Sequence, residues 1–186
     1  MSQDNTLRGN TLLTLARAAV EESLGGPAVQ VPDAPWLAEP GACFVSLHLK
    51  HDDSLRGCIG SLEAHRPLHQ DVVHNARAAA HHDPRFAPLR HDELALTRVE
   101  VTLLSPVEPL EVHSEAEALA ALRPGVDGLI LQWGGRRGVF IPQVWEQLPG
   151  PAEFLAALRR KAGLAGGWQT GTRLSRFTAT HWEESS

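Results

Sequence analysis

The chain has 186 residues, 42% of them hydrophobic and 21% charged, an ordinary globular balance that excludes wholesale disorder. Its formal charge of −5 opposes a dedicated nucleic-acid binder, which usually carries a net basic face. No apolar run approaches the roughly 20 residues needed to span a bilayer, and no basic start followed by an apolar stretch marks a secretory signal.

Residues 1–9 are polar and read as a flexible N-terminus, followed by a single domain over 10–184. From Asn10 to Leu24, Leu12, Leu15, Ala16, Ala19 and Val20 recur at helical spacing, and Gly25-Gly26-Pro27 supplies a stop. Residues 27–41, with prolines at 27, 32, 35 and 40, read as an extended surface arm anchored by Val29, Val31, Trp36 and Leu37. Cys43 to Leu49 alternates as a strand, His51 to Ser54 turns, and Leu55 to Leu62 returns as a second strand. Pro67 opens a helix whose apolar face runs from Leu68 to Ala80 and which ends before Pro84.

Arg98 to Ser105 alternates up to Pro106 as a third strand, and Ser114 is a plausible N-cap for a helix through Leu122. Leu129–Trp133 and Val139–Ile141 flank Gly134-Gly135-Arg136-Arg137-Gly138 as a β-hairpin. Pro151 to Ala162 is a last amphipathic helix with basic residues near its C-terminus, and Leu174 to Trp182 is a final strand. Irregular interleaving and frequent hairpins predict an α+β fold with a mixed, largely antiparallel sheet flanked by helices.

The strongest local feature is Arg56-Gly57-Cys58-Ile59-Gly60. Two glycines flanking Cys58 let a ligand or another backbone approach closely, and Arg56 adds a planar donor suited to carboxylate or phosphate. Cys58 beside an arginine could be an activated nucleophile; the competing reading is a bulge beside a buried thiol. Asp83, placed before Pro84, is free to cap or to pair with Arg85, and an anion site there requires Arg85 and Arg56 to converge. In the third strand Glu100 lies on the face opposite Val99, Val101 and Leu103, and needs a partner such as Arg56 or Arg98 if that face is covered.

The two cysteines, Cys43 and Cys58, suit a reduced thiol pair in the cytoplasm rather than a disulfide framework, with Cys43 placed for burial. Ten histidines share no ligand spacing, and neither CxxC nor HExxH occurs, so no metal and no cofactor is predicted.

Leu55-Arg56-Gly57-Cys58-Ile59-Gly60 resembles the signature hexapeptide of the AMME-chromosomal-region (AMMECR) family, whose prokaryotic members are also called AmmeMemoRadiSam system protein A. The likeness continues in order through Asp83 to Leu89, Val99 to Pro106, Gly128 to Leu131, Gly138 to Val144, Lys161 to Leu164 and Trp168. The resemblance implies a larger and a smaller lobe with the hexapeptide near a cleft between them. It also implies a cytosolic protein often encoded beside a Memo-like protein and a radical SAM protein. One departure is Leu158-Arg159-Arg160, where many members carry a second cysteine.

Two functional readings follow. One is a binding or adaptor module that works with Memo-like and radical SAM partners through the surface around Arg56 to Gly60. The alternative is an enzyme acting on a small anionic substrate, with Cys58 as nucleophile or redox group and Glu100 as proton acceptor. Arg56, Gly57, Gly60, Asp83 and Arg85 would bind the ligand in either case. RNA binding through Arg56, Arg85 and Arg136-Arg137 ranks third, since the net charge opposes it and no aromatic-basic platform is visible.

Overall fold

The structure, a computed structural model, describes residues 3–164 and 166–185. It is α+β, with two four-stranded sheets where one was expected, and the chain divides into two compact units. The first comprises Met1–Leu104 and Thr180–Ser186, the second Ser105–Ala179. Among the described residues no helix is long and apolar enough to cross a membrane.

The first unit holds α1 (Gln3–Ser23), β1 (Cys43–Leu49), β2 (Leu55–Gly60), α2 (Leu68–His81), β3 (Thr97–Leu104) and most of a last strand. Its sheet runs β2-β1-β3 and ends on that strand, Ala179–Glu183. β1 pairs antiparallel with both neighbours, so Val45 faces Ile59 and Val101, and Leu47 faces Gly57 and Val99. This apolar row packs against Leu12, Leu15 and Val20 of α1 and Val72, Ala76 and Ala79 of α2 in one core. Burying each large aliphatic side chain there stabilises the unit by about 1.5–3 kcal/mol.

Helix α1 begins at Gln3, so residues 3–9 of the expected flexible segment are helical. Their pattern is too polar to announce a helix, and Leu7 is exposed. Gly9 is buried because the Trp182 ring fills the space of its missing side chain; a Cβ there would lie 2.2 Å from Trp182 Cδ1. In the arm, Leu37 is buried, but Val31, expected as an anchor, stands 48% exposed.

The second unit holds β4 (Glu108–Leu110), α3 (Glu115–Ala121), β5 (Gly128–Trp133), β6 (Arg136–Phe140), α4 (Pro151–Lys161) and β7 (Arg173–Phe177), with β8 as the label for Ala179–Glu183 of the first sheet. Its sheet order is β4-β7-β5-β6, antiparallel at each pairing. The β5–β6 turn is Gly134-Gly135, both at positive φ as a tight hairpin requires. Ser114 caps α3 by accepting from the Glu117 amide at 3.2 Å. The single strand expected over 174–182 is two strands in different sheets, separated at Thr178.

Candidate functional site

Strand β2 is an edge strand, and its hexapeptide alternates between two surfaces. Gly57 and Ile59 lie in the row that faces the helices. On the opposite face β1 places Ser46 between Cys58 and Glu100, its cross-strand partners on β2 and β3. The register with β1 slips between Leu47 and His48, where Gly57 and Leu55 are the partners, so Arg56 is the extra residue of a β-bulge.

Cys58 is bound at its backbone by Asp83. The Asp83 carboxylate is 4% exposed and accepts the Cys58 amide at 2.8 Å, the Arg85 amide at 3.0 Å and the Arg85 guanidinium at 3.0 and 2.7 Å. An outward-facing amide of the sheet edge is thereby satisfied without another strand, which protects the edge from pairing. The Arg85 guanidinium, then the two amides, hold the Asp83 carboxyl far below the usual carboxylate range, against the opposing effect of burial. Arg85 is itself 55% exposed at its side chain, and its guanidinium lies 5.4 Å from the centre of the Phe86 ring.

The Cys58 side chain is half-buried. Burial pushes its thiol pKa up; the Ser46 hydroxyl and Arg85 pull it down without reversing the shift, while Asp83 and Glu100 push further up. The group is therefore a neutral thiol near pH 7, not an activated thiolate.

Arg56 and Arg85 pair with different carboxylates, Glu93 and Asp83. Arg56 leaves the bulge toward Glu93, donating from Nε and Nη2 at 2.9 and 3.0 Å, and its remaining donors reach the carbonyls of Ala87 at 2.9 Å and Pro88 at 3.4 Å. Its guanidinium clamps the 83–96 segment to the strand edge, so its donors are engaged within the protein instead of being offered to an anion. The room beside the glycines is also filled. A Cβ on Gly57 would lie 2.1 Å from the Ala79 carbonyl oxygen of α2, and one on Gly60 would lie 2.2 Å from the Phe44 ring. Glu100 takes neither suggested arginine: its contact is the Thr102 hydroxyl at 3.5 Å, and Arg98 pairs with Asp53 and Glu183.

Two residues of α2 were not singled out by the sequence. Asp71 and Asn75, four apart on the buried face of the helix, are 0% and 1% exposed. Asp71 accepts the Ser61 hydroxyl at 2.6 Å and the Cys43 amide at 3.0 Å, and Arg66 closes on it at 3.2 Å. Asn75 donates to Asp71 at 3.0 Å and to the Cys43 carbonyl at 2.9 Å. The cluster ties α2 to the start of β1 and the end of β2. Burial, then the Asp71 charge, pushes the Cys43 thiol far up, which makes it inert. Among the described residues no group of three or more His, Cys, Asp or Glu side chains is placed to hold a metal ion.

A family model described as AMMECR1 matches residues 13–182. The chain belongs to the AMMECR1 family. A protein of Methanothermobacter thermautotrophicus is 41% identical over 182 residues, covering 95% of this chain and 94% of its own. A protein of Methanocaldococcus jannaschii is 37% identical and covers 95% and 90%. The crystal structure of an uncharacterized protein from Pyrococcus horikoshii superposes with a TM-score of 0.77 at 34% identity, covering 95% of this chain and 91% of that one. The AMMECR1 match includes the hexapeptide strand, the Asp83–Arg85 clasp and the Asp71–Asn75 cluster.

Proposed function

We propose that this AMMECR1 protein is a cytoplasmic binding or adaptor module of an AmmeMemoRadiSam system. It presents the hexapeptide strand and the Asp83–Phe86 turn to a protein partner, a Memo-like or a radical SAM protein. The observation that carries this reading is the preorganisation of Arg85. A buried carboxylate holds its guanidinium bidentately, an aromatic ring lies beside it, and just over half of its side chain remains exposed. An exposed arginine fixed in this way loses little side-chain entropy on contact, and arginine is enriched among residues that dominate interface energies.

Pull-down and calorimetry with the two partner proteins test the reading. Arg85→Ala is expected to weaken binding about tenfold or more, a loss of about 1.4 kcal/mol or more. Arg90→Ala serves as the control, since the Arg90 side chain is exposed and its guanidinium pairs with the exposed Asp92. Binding of neither partner, or equal binding by the Arg85→Ala protein, overturns the proposal.

A second reading, an enzyme using Cys58 on a small anionic substrate, is favoured by the Ser46 hydroxyl and the Arg85 charge, which both stabilise a thiolate. It requires substrate binding to overcome the burial that keeps the thiol protonated. Iodoacetamide labelling as a function of pH separates the two: a thiol that ionises below a free cysteine supports chemistry at Cys58, and one that ionises above it supports the adaptor.

A further inference from the structure

A separate groove of about 570 Å³ lies in the first unit between the outward face of α2 and the arm that carries Val29 and Val31. Its size falls in the range of small-molecule sites. Val29, Val31 and Val73 give it an apolar side, and Val31 has no burial of its own to explain an apolar residue there. Arg66, Arg77 and three histidines line the rest, with Glu22 the one carboxylate among the described lining residues.

That charge pattern departs from the chain as a whole. The formal charge is −5, yet between residues 64 and 82 the one acidic residue is Asp71, which is buried and already held by Arg66. Arg77 meets Glu22 through Nη2 alone, and its Nε and Nη1 meet no acceptor among the described residues. Glu22 also accepts the Val29 amide at 3.3 Å, so it joins the arm to α2 while placing a negative charge beside Arg77.

We propose that this groove binds a small organic phosphate, a phosphate monoester carried on an apolar body. Guanidinium groups match phosphate oxygens through paired N–H donors, and Arg77 offers its Nε and Nη1 for this, while Arg66, committed to Asp71 and His65, adds its charge nearby. The valines cover the apolar body, which inorganic phosphate lacks. Glu22 competes with the ligand for Arg77, so it weakens binding rather than supporting it.

The test titrates the full chain with 2-naphthyl phosphate, followed by amide shifts in ¹H–¹⁵N spectra, with 2-naphthol and inorganic phosphate as separate arms. Saturable shifts confined to 21–23, 29–31 and 66–82 are expected, with 2-naphthyl phosphate binding at least tenfold more tightly than either comparison compound. Arg77→Ala, at a position whose side chain is 45% exposed, is expected to weaken it about tenfold. Glu22→Gln retains an acceptor for the Val29 amide but removes the charge, and is expected to tighten binding severalfold. Equal binding of either comparison compound, shifts elsewhere, or indifference to both substitutions overturns the proposal.

Discussion

Replacing each hexapeptide glycine by alanine separates backbone packing from side-chain packing at the site. Neither Gly57 nor Gly60 has positive φ, so alanine meets no conformational penalty and gains about 0.4–1 kcal/mol from a stiffer unfolded chain. The difference lies in what each new methyl meets. At Gly57 it would stand 2.1 Å from the Ala79 carbonyl oxygen, 3.1 Å from the Ala79 carbonyl carbon and 3.7 Å from its Cα. Ordinary contact begins at 3.4 Å, so the strand and α2 must part by 3.4 − 2.1 = 1.3 Å. The neighbouring residues of that helix, Val72, Ala76 and Ala80, are packed in the core and would move with it. The upper end of overpacking costs applies, about 3 kcal/mol or more. At Gly60 the obstacle is the half-buried Phe44 side chain, whose Cγ and Cδ1 both stand at 2.2 Å, so the whole ring must swing about χ1, and about 1–2 kcal/mol is expected. Urea unfolding followed by far-ultraviolet circular dichroism measures both. A Gly57→Ala protein within 1 kcal/mol of wild type, or a Gly60→Ala protein that is the less stable of the two, refutes the reasoning.

Three further outcomes are expected. The Asp83 pKa is depressed in the folded chain, so its charge stabilises the fold above the unfolded value of about 4, and this contribution fades as pH falls below it. The lead in melting temperature of wild type over Asp83→Asn therefore shrinks between about pH 5 and pH 2, and a constant gap contradicts the assignment. In iodoacetamide labelling Cys58 ionises above a free cysteine and Arg85→Ala raises it further, because Arg85 favours the thiolate; native Cys43 stays unlabelled at neutral pH. Labelling of Cys58 that ignores Arg85 contradicts their proximity. Asp71→Ala breaks a buried, paired carboxylate and is expected to cost about 3–5 kcal/mol in urea unfolding, whereas a loss under 1 kcal/mol would show the cluster to be incidental.

Periodicity carries the helices and most strands because each buries a recognisable face: Val45 and Leu47 on β1, Val99 and Val101 on β3, the Leu68 to Ala80 stripe on α2. Where burial leaves no apolar pattern, the sequence is silent. The first turns of α1 are polar, and Gly9 is explained by a tryptophan more than 170 residues away. Strand β4 is only three residues, Glu108-Pro109-Leu110, too short for alternation to register. The hexapeptide and Asp83–Arg85 stand out as residue types, but their partners depend on tertiary placement. Arg56 could not be assigned to Glu93 without the bulge and the fold of 83–96. Ser46 was within reach: the hairpin register of β1 and β2 sets it opposite Cys58. Asp71 and Asn75 also left a trace, a polar pair four apart on an otherwise apolar helix face.

Hydrogen exchange measured by mass spectrometry, on the chain alone and with the Memo-like and radical SAM proteins added in turn, reads the proposed surface directly. The adaptor account predicts added protection in 55–60 and 83–89 with at least one partner, lost in the Arg85→Ala protein. Unchanged exchange there with both partners, or protection that Arg85→Ala does not affect, contradicts it.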